Sequence, residues 1–305
     1  MINMATDTQT NADLFLRSLE KGKVARFFGI FGEWPVIPIF IIVMMVFVAL
    51  AADLISPHGP VESVLRARNT PPVWMEGGSW NYPLGADTVG RGILSRLFHG
   101  ARISLLVMAV ALVTGTIVGT ALGLIAGYIG GLLDEFIMRL VDIFFGIPFV
   151  LLAMVVGVVL GANLTPMVVM MALVTWSAFV RNIRAEVLSI RERDYVSLAR
   201  VAGASTLRIL LKHVLPGVIN TVVVIATLRS GQLILTEAFL SFVGAGIPPP
   251  TPTWGGMIAD GRNYLRDAWW ISFFPGLFIF LIVLALNFIG DWLRDKLDPR
   301  LRQSS

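Results

Sequence analysis

The 305-residue sequence is 56% hydrophobic and only 14% charged, with a mean hydropathy of +0.78, whereas soluble domains are about a quarter charged; the composition is that of a membrane protein. It contains no cysteine, which excludes disulfides and Cys-ligated zinc or iron-sulfur sites, and its three histidines, His58, His99 and His213, are scattered and form no H-E-x-x-H pair, so no metal site is expected. The net charge of +4 lies in clusters beside apolar runs, where it sets orientation rather than binding nucleic acid.

Residues 1–34 are polar through Asn11 and then read as a short basic amphipathic helix carrying Arg17, Lys21, Lys23 and Arg26. The first apolar run starts only near Pro35 and no small-residue cleavage pattern follows it, so no cleavable signal peptide is expected. About 20 apolar residues cross a bilayer as a helix, the form that satisfies its own backbone polar groups there. Six such runs are expected, at 35–54, 103–126, 136–160, 164–183, 217–243 and 271–289. Of the 24 Lys and Arg residues, fifteen fall in the N-terminal segment, between Arg181 and Lys212, or in the tail (Arg294, Lys296, Arg300, Arg302). Seven (Arg66, Arg68, Arg91, Arg96, Arg102, Arg262, Arg266) fall in the loops of the other side. Both termini and the central loop are therefore expected to be cytoplasmic. The chain divides into a cytoplasmic segment 1–34, a first span with its outer loop 35–102, a core 103–291 and a tail 292–305. The core includes a cytoplasmic loop 184–215 and an outer loop 244–270.

In the first outer loop a YPLGAD turn precedes VGRGILSRLFHGARISL, which reads as an amphipathic helix feeding the second span. Gly115, Gly119, Gly123 and Gly127 recur every four residues in that span, a small-residue stripe that permits close helix contact, including contact with a partner subunit. At the start of the third span Arg139 lies one turn from Glu135 and from Asp142, which predicts an intrahelical ion pair beside Asp134; Pro148 predicts a kink, a place for a gate. The second outer loop, GIPPPTPTWGGMIADGRNYLRDAWW, suits an ordered surface segment with Trp anchors at the interface. These outer loops either receive a soluble partner or cap the bundle.

Between the fourth and fifth spans, residues 184–212 are too charged for a bilayer core. Leu198, Val201, Ala202, Ile209 and Leu210 recur near helical spacing, predicting a helix-turn-helix with that face on the bundle. Gly203 supplies the turn, Ser205 is placed to cap the next helix, and Pro216 opens the following span. In the fifth span Arg229, Gln232 and Glu237 are costly in lipid and are expected either to line a translocation path or to fix packing against another subunit. No G-x-x-x-x-G-K-[ST], G-x-S-x-G or zinc-protease pattern occurs, so no catalytic residue is expected and any nucleotide must be bound by another chain.

Gly203, nine residues, then His213-Val214-Leu215-Pro216 resembles the E-A-A-x-x-x-G-x9-I-x-L-P loop of ABC-importer permeases, with Ser197, Leu198 and Ala199 in place of the E-A-A triplet and His213 in place of Ile. LGADTVGRGILSRLFHGARISL (84–105), GLIAGYIGGLLDEFIMRLVDIFFGIP (123–148), PPPTPTWGGMIADGRNYL (248–265) and FPGLFIFLIVLALNFIGDWLRDKLDPRL (274–301) are similar to the second permease subunit of dipeptide, oligopeptide and nickel importers. TPPVWMEGGS (70–79) is most like the dipeptide members, while Ala86 and Gly92 stand where the family usually has Thr and Asp. The resemblance implies an all-α, six-helix type I importer fold in a bacterial cytoplasmic membrane, with a coupling helix between helices four and five. Its contacts to the ATPase would come from Ser197, Leu198, Ala199, Ala202, Gly203, Ala204, Ser205 and Pro216. The implied partners are a homologous permease, two ATP-binding subunits holding ATP and Mg, an extracytoplasmic peptide-binding protein and membrane lipid. The same machine with nickel, glutathione or an opine as cargo is the nearer alternative. An ion-driven secondary transporter is the farther one, and would show inverted repeats and interrupted helices.

Overall fold

The computed structural model describes residues 35–297, so the expected basic helix at 17–26 and Arg300 and Arg302 of the tail lie outside the described residues. The described residues form nine helices of at least two turns, with single 3-10 turns at Leu65–Ala67 and Arg262–Tyr264 in the loops. Helix α1 (Val36–Ile55) buries only Met45, Ala49 and Ala52 and leaves Phe40, Phe47 and Leu50 exposed, as a peripheral span does in lipid. Arg102 ties it to the next helix through the Ala49 carbonyl (2.9 Å) and the Asp53 carboxylate (2.9 Å).

Helix α2 (Ile93–Ile129) joins the expected amphipathic helix and the second span into one continuous rod of 37 residues, so the boundary at 102/103 falls inside a helix. Its glycine stripe packs within the chain, against α5 (Leu164–Ile190), and not against another subunit. A Cβ on Gly115 would stand 2.5 Å from Thr175 Cβ, one on Gly123 2.9 Å from Ile183 Cβ, and one on Gly127 2.8 Å from Val187 Cβ. Removing side chains from one face lets the two helices meet backbone to side chain, the packing that membrane helices rely on in place of hydrophobic exclusion.

The third expected span is broken rather than kinked. Helix α3 (Gly131–Gly146) and helix α4 (Phe149–Leu160) meet at 86° across Ile147 and Pro148. Proline has no N–H for the ladder and clashes with the preceding turn, and here it starts α4, its carbonyl accepting from Leu151 N at 3.0 Å. Among the described residues five helices are long and apolar enough to span a membrane, or six if the bent pair is one span. The charges of α3 mostly pair across helices: Asp134 accepts from Arg184 Nε and Nη2 (2.5 and 2.7 Å) and Asp142 accepts from Arg181 Nη2 (2.8 Å). The expected intrahelical pair is only the loose, exposed Arg139–Glu135 contact at 3.8 Å. Neighbouring helices offered better-placed guanidinium groups than the helix itself.

Helix α6 (Asp194–Val201) is short and leads through Gly203 into α7 (Thr206–Phe242). Pro216 stands in the first turn of the α-helical stretch Leu215–Phe242, as expected, but that stretch continues the helix begun at Thr206 through a π-turn at Leu210–Val214. The widened turn is how a continuous helix accommodates a residue that cannot donate to the ladder. Helix α8 (Trp254–Gly261), capped by the Thr253 hydroxyl accepting from Gly256 N (3.1 Å), lies in the second long loop, and α9 (Trp270–Leu297) closes the bundle.

The two long loops fold together over one end of the bundle, the capped end. Buried Asp87 accepts from Val89 N and Arg91 N (both 2.9 Å) and from Arg91 Nε (2.6 Å), and Arg91 reaches Asp260 at 3.2 Å. Two tryptophans expected as interfacial anchors are core residues instead: Trp254 donates to Leu97 O and Trp270 to Ala86 O, each at 3.1 Å. An indole buried with its N–H bonded can serve the core as well as the interface. The opposite, open end carries α6 and the start of α7 on a cluster that includes Leu124, Ile183, Val187, Ile190 and Val214.

Candidate functional site

At the open end α6 stops in a Schellman turn. Gly203 has φ +76°, its N–H donates to Arg200 O (3.0 Å), and Ala204 N donates to Ala199 O (3.1 Å). That pair of bonds needs a left-handed residue, which glycine supplies without steric cost. Ser205 occupies the N-cap position, its carbonyl accepting from Ile209 N at 2.9 Å, but its hydroxyl makes no capping bond. The turn is anchored to α2: Arg191 Nη1 donates to Gly127 O at 2.9 Å, and the Arg200 guanidinium lies 5.7 Å from the centre of the Tyr128 ring.

The face on the bundle is not the one expected. Ile209 and Leu210 are buried as anticipated, but Val196, with half-buried Ala199 and Ala204, makes the rest of the contact. Leu198 and Val201 point outward, 68% and 87% exposed, beside Leu207 at 66%. Of the residues expected to meet an ATPase, Ser197, Leu198, Ala202, Gly203, Ser205 and Pro216 are exposed and Ala199 and Ala204 half-buried. The arrangement is a turn fixed to three long helices and presenting an apolar surface outward, the feature of a candidate interaction site. Helical spacing alone could not tell a face that packs inward from one held for a partner.

Within the bundle the structure parts the three charged and polar residues of the fifth span. Arg229 donates to Gln232 at 2.6 Å, and both line a cavity of about 130 Å3 with Thr236 of α7, Thr175 and Met171 of α5, and Phe149 of α4. Glu237 is fully buried elsewhere, accepting from the Ser104 hydroxyl of α2 (2.7 Å) and the Ser241 hydroxyl of α7 (2.8 Å). Glu237, one step and about 100° round the helix from Thr236, turns to Ser104 of α2 and is not among the residues that line the Arg229 cavity. Ser241, at i+4 on the same helix, was within reach of helical spacing, whereas Ser104 carried no sequence signal as a partner. Glu237→Met should strip both hydroxyls of their acceptor, costing about 1–3 kcal/mol, and lower the thermal midpoint of the detergent-solubilised chain. Glu237→Gln, which keeps one acceptor, should fall between; an unchanged midpoint for the Met variant would rule out the structural role.

Residues 119–303 match the family of binding-protein-dependent transport system inner membrane components. The chain is 44% identical over 262 residues to the di/tripeptide transport system permease protein DppC of Pseudomonas aeruginosa (strain UCBPP-PA14), covering 86% of each chain. It is also 44% identical over 272 residues to the dipeptide transport system permease protein DppC of Escherichia coli (strain K12), covering 89% of this chain and 91% of that one. Among solved structures, the inward-facing MetNI methionine ABC transporter (CY5 native crystal form) superimposes with a TM-score of 0.55 at 21% identity, over 66% of this chain and 96% of that chain.

Proposed function

The chain belongs to the binding-protein-dependent transport system inner membrane components, a multi-pass membrane component of an ABC importer, and from that membership we propose that its cargo is short peptides. The support for peptides is the likeness, over most of both chains, to permeases named for di- and tripeptide transport. In this reading a homologous permease completes the pore, an extracytoplasmic binding protein delivers the peptide, and two separate subunits bind ATP and Mg and hydrolyse the nucleotide. The open end faces the cytoplasm of a bacterial cell, with both termini on that side, because the Lys and Arg excess lies there.

The observation that carries the coupling is the outward apolar surface of Leu198, Val201 and Leu207 around the Gly203 turn. An ATPase seated there moves α6 as it closes. Arg191 and Arg200 pass that movement to the end of α2, and the chain itself passes it to α5 and α7. Arg229 and Gln232, at mid-depth on α7, line the path and offer a guanidinium to a peptide carboxylate. The break at Pro148 is an interruption that ion-driven transporters also use, and membership of an ATP-driven importer family is the reason to prefer the ABC reading.

The test is uptake of labelled dialanine into proteoliposomes holding the complete importer. ATP-dependent uptake is expected, with Arg229→Met lowering it about tenfold or more while the subunits still purify together. Loss of assembly in that variant would make Arg229 a packing residue, and uptake by the chain without ATP-binding subunits would overturn the coupling.

A further inference from the structure

A second, larger cavity of about 620 Å3 opens at the open end between α5, α7 and α9. Its size falls in the range of about 300–1,000 Å3 usual for small-ligand sites. Glu186 stands in its wall with Arg193 and Arg294, and Asn182, Asn220 and Thr221 supply amides and a hydroxyl. None of the three charged groups has an ion-pair partner among the described residues, although opposite charges line one cavity. Elsewhere in this chain such neighbours close on each other, as Asp134 and Arg184 do.

The cavity also continues a line. On α7, Thr221, Ile225, Arg229, Gln232 and Thr236 follow at spacings of three and four, so the wall of the large cavity and the wall of the Arg229 cavity are one helix face. On α5, Thr175, Asn182, Glu186 and Ser189 likewise share a face. A polar track therefore runs between α5 and α7 from mid-bundle to the open end.

We propose that the large cavity binds a short peptide in its zwitterionic form, Glu186 taking the ammonium and Arg193 or Arg294 the carboxylate, as the last station before release. This rests on the peptide reading above. Its chemistry follows from charge-assisted hydrogen bonds at both ends of a ligand that carries both charges.

The experiment is calorimetric titration of dialanine into the assembled importer, without binding protein or nucleotide, in phosphatidylcholine nanodiscs, alongside dialanine uptake in cells. Glu186→Gln should raise the dialanine Kd about tenfold, and Glu186→Asp should restore most of the affinity. N-acetyl-dialanine, which lacks the ammonium, should bind wild type and Glu186→Gln alike. Equal dialanine affinity for wild type and Glu186→Gln, with uptake intact, overturns this site and leaves peptide transport standing. Absence of dialanine uptake overturns both. If phosphatidylglycerol is retained by the wild type but not by Arg193→Gln, and dialanine shows no binding, the cavity is a lipid headgroup site and the inference fails.

Discussion

Replacing Val201 with aspartate should abolish ATP-driven uptake while leaving the chain folded and in the membrane. Val201 is 87% exposed and closes α6 just before the Gly203 turn. A carboxylate there stays in water in the isolated chain and costs the fold almost nothing. Once an ATPase covers Leu198, Val201 and Leu207, the same carboxylate is buried among apolar groups with no cation assigned to it, and an unpaired buried charge is among the most expensive groups to desolvate. Truncations at the centre of an interface cost about 2 kcal/mol or more, about thirtyfold in affinity. The expected readout is loss of the ATP-binding subunits on purification through a tag on this chain, with uptake at least tenfold down and the amount of membrane-inserted chain unchanged. Val201→Met, apolar and adaptable, should keep both. Retention of the ATP-binding subunits by the aspartate variant would mean that docking lies elsewhere.

The Gly203 turn was legible because its requirement is local: a left-handed residue that ends a short helix is usually a glycine. The outward face of α6 was not, since Leu198 and Val201 have the same spacing whether they pack on the bundle or wait for a partner. The spans were found because a bilayer demands length and apolarity. Their true ends were missed where helices ran on past the apolar stretch, as α5 does through Arg184 to Ile190, its charge satisfied by Asp134 of α3. Glu237 shows the remaining limit. Its cost in lipid was plain from the sequence, and Ser241 lies at a helical i+4 spacing from it, but the second hydroxyl, Ser104, comes from another helix 133 residues away in the chain, and no periodicity reports such a meeting. The vestibule around Glu186 was missed for the same reason, as its walls come from three helices.

Gly119→Val should leave little folded protein. A side chain at Gly119 would meet the Trp176 carbonyl oxygen and Phe179 Cβ of α5. Neither obstacle is the far end of a flexible side chain, so relief requires the helices themselves to separate. Separation at Gly119 also loosens Gly115 and Gly123, which hold the same pair of helices at adjacent turns. Overpacking usually costs about 1–3 kcal/mol, against a total stability of about 5–15 kcal/mol for a typical protein. Alanine at 119 should fall in that range, while β-branched valine, with two further methyl groups to place, should exceed it. Gly276 gives the control: it lies in α9 with an unremarkable φ and nothing within 4 Å of an added Cβ, so Gly276→Ala should be neutral or slightly stabilising through helix propensity. The measurement is the thermal midpoint of solubilised chain for the alanine variants and membrane-inserted yield for the valine variant. A Gly119→Ala midpoint equal to that of Gly276→Ala would refute the backbone contact between α2 and α5. With it would go the proposed route by which movement at the Gly203 turn reaches the middle of the bundle, because that route needs α2 and α5 held in close contact.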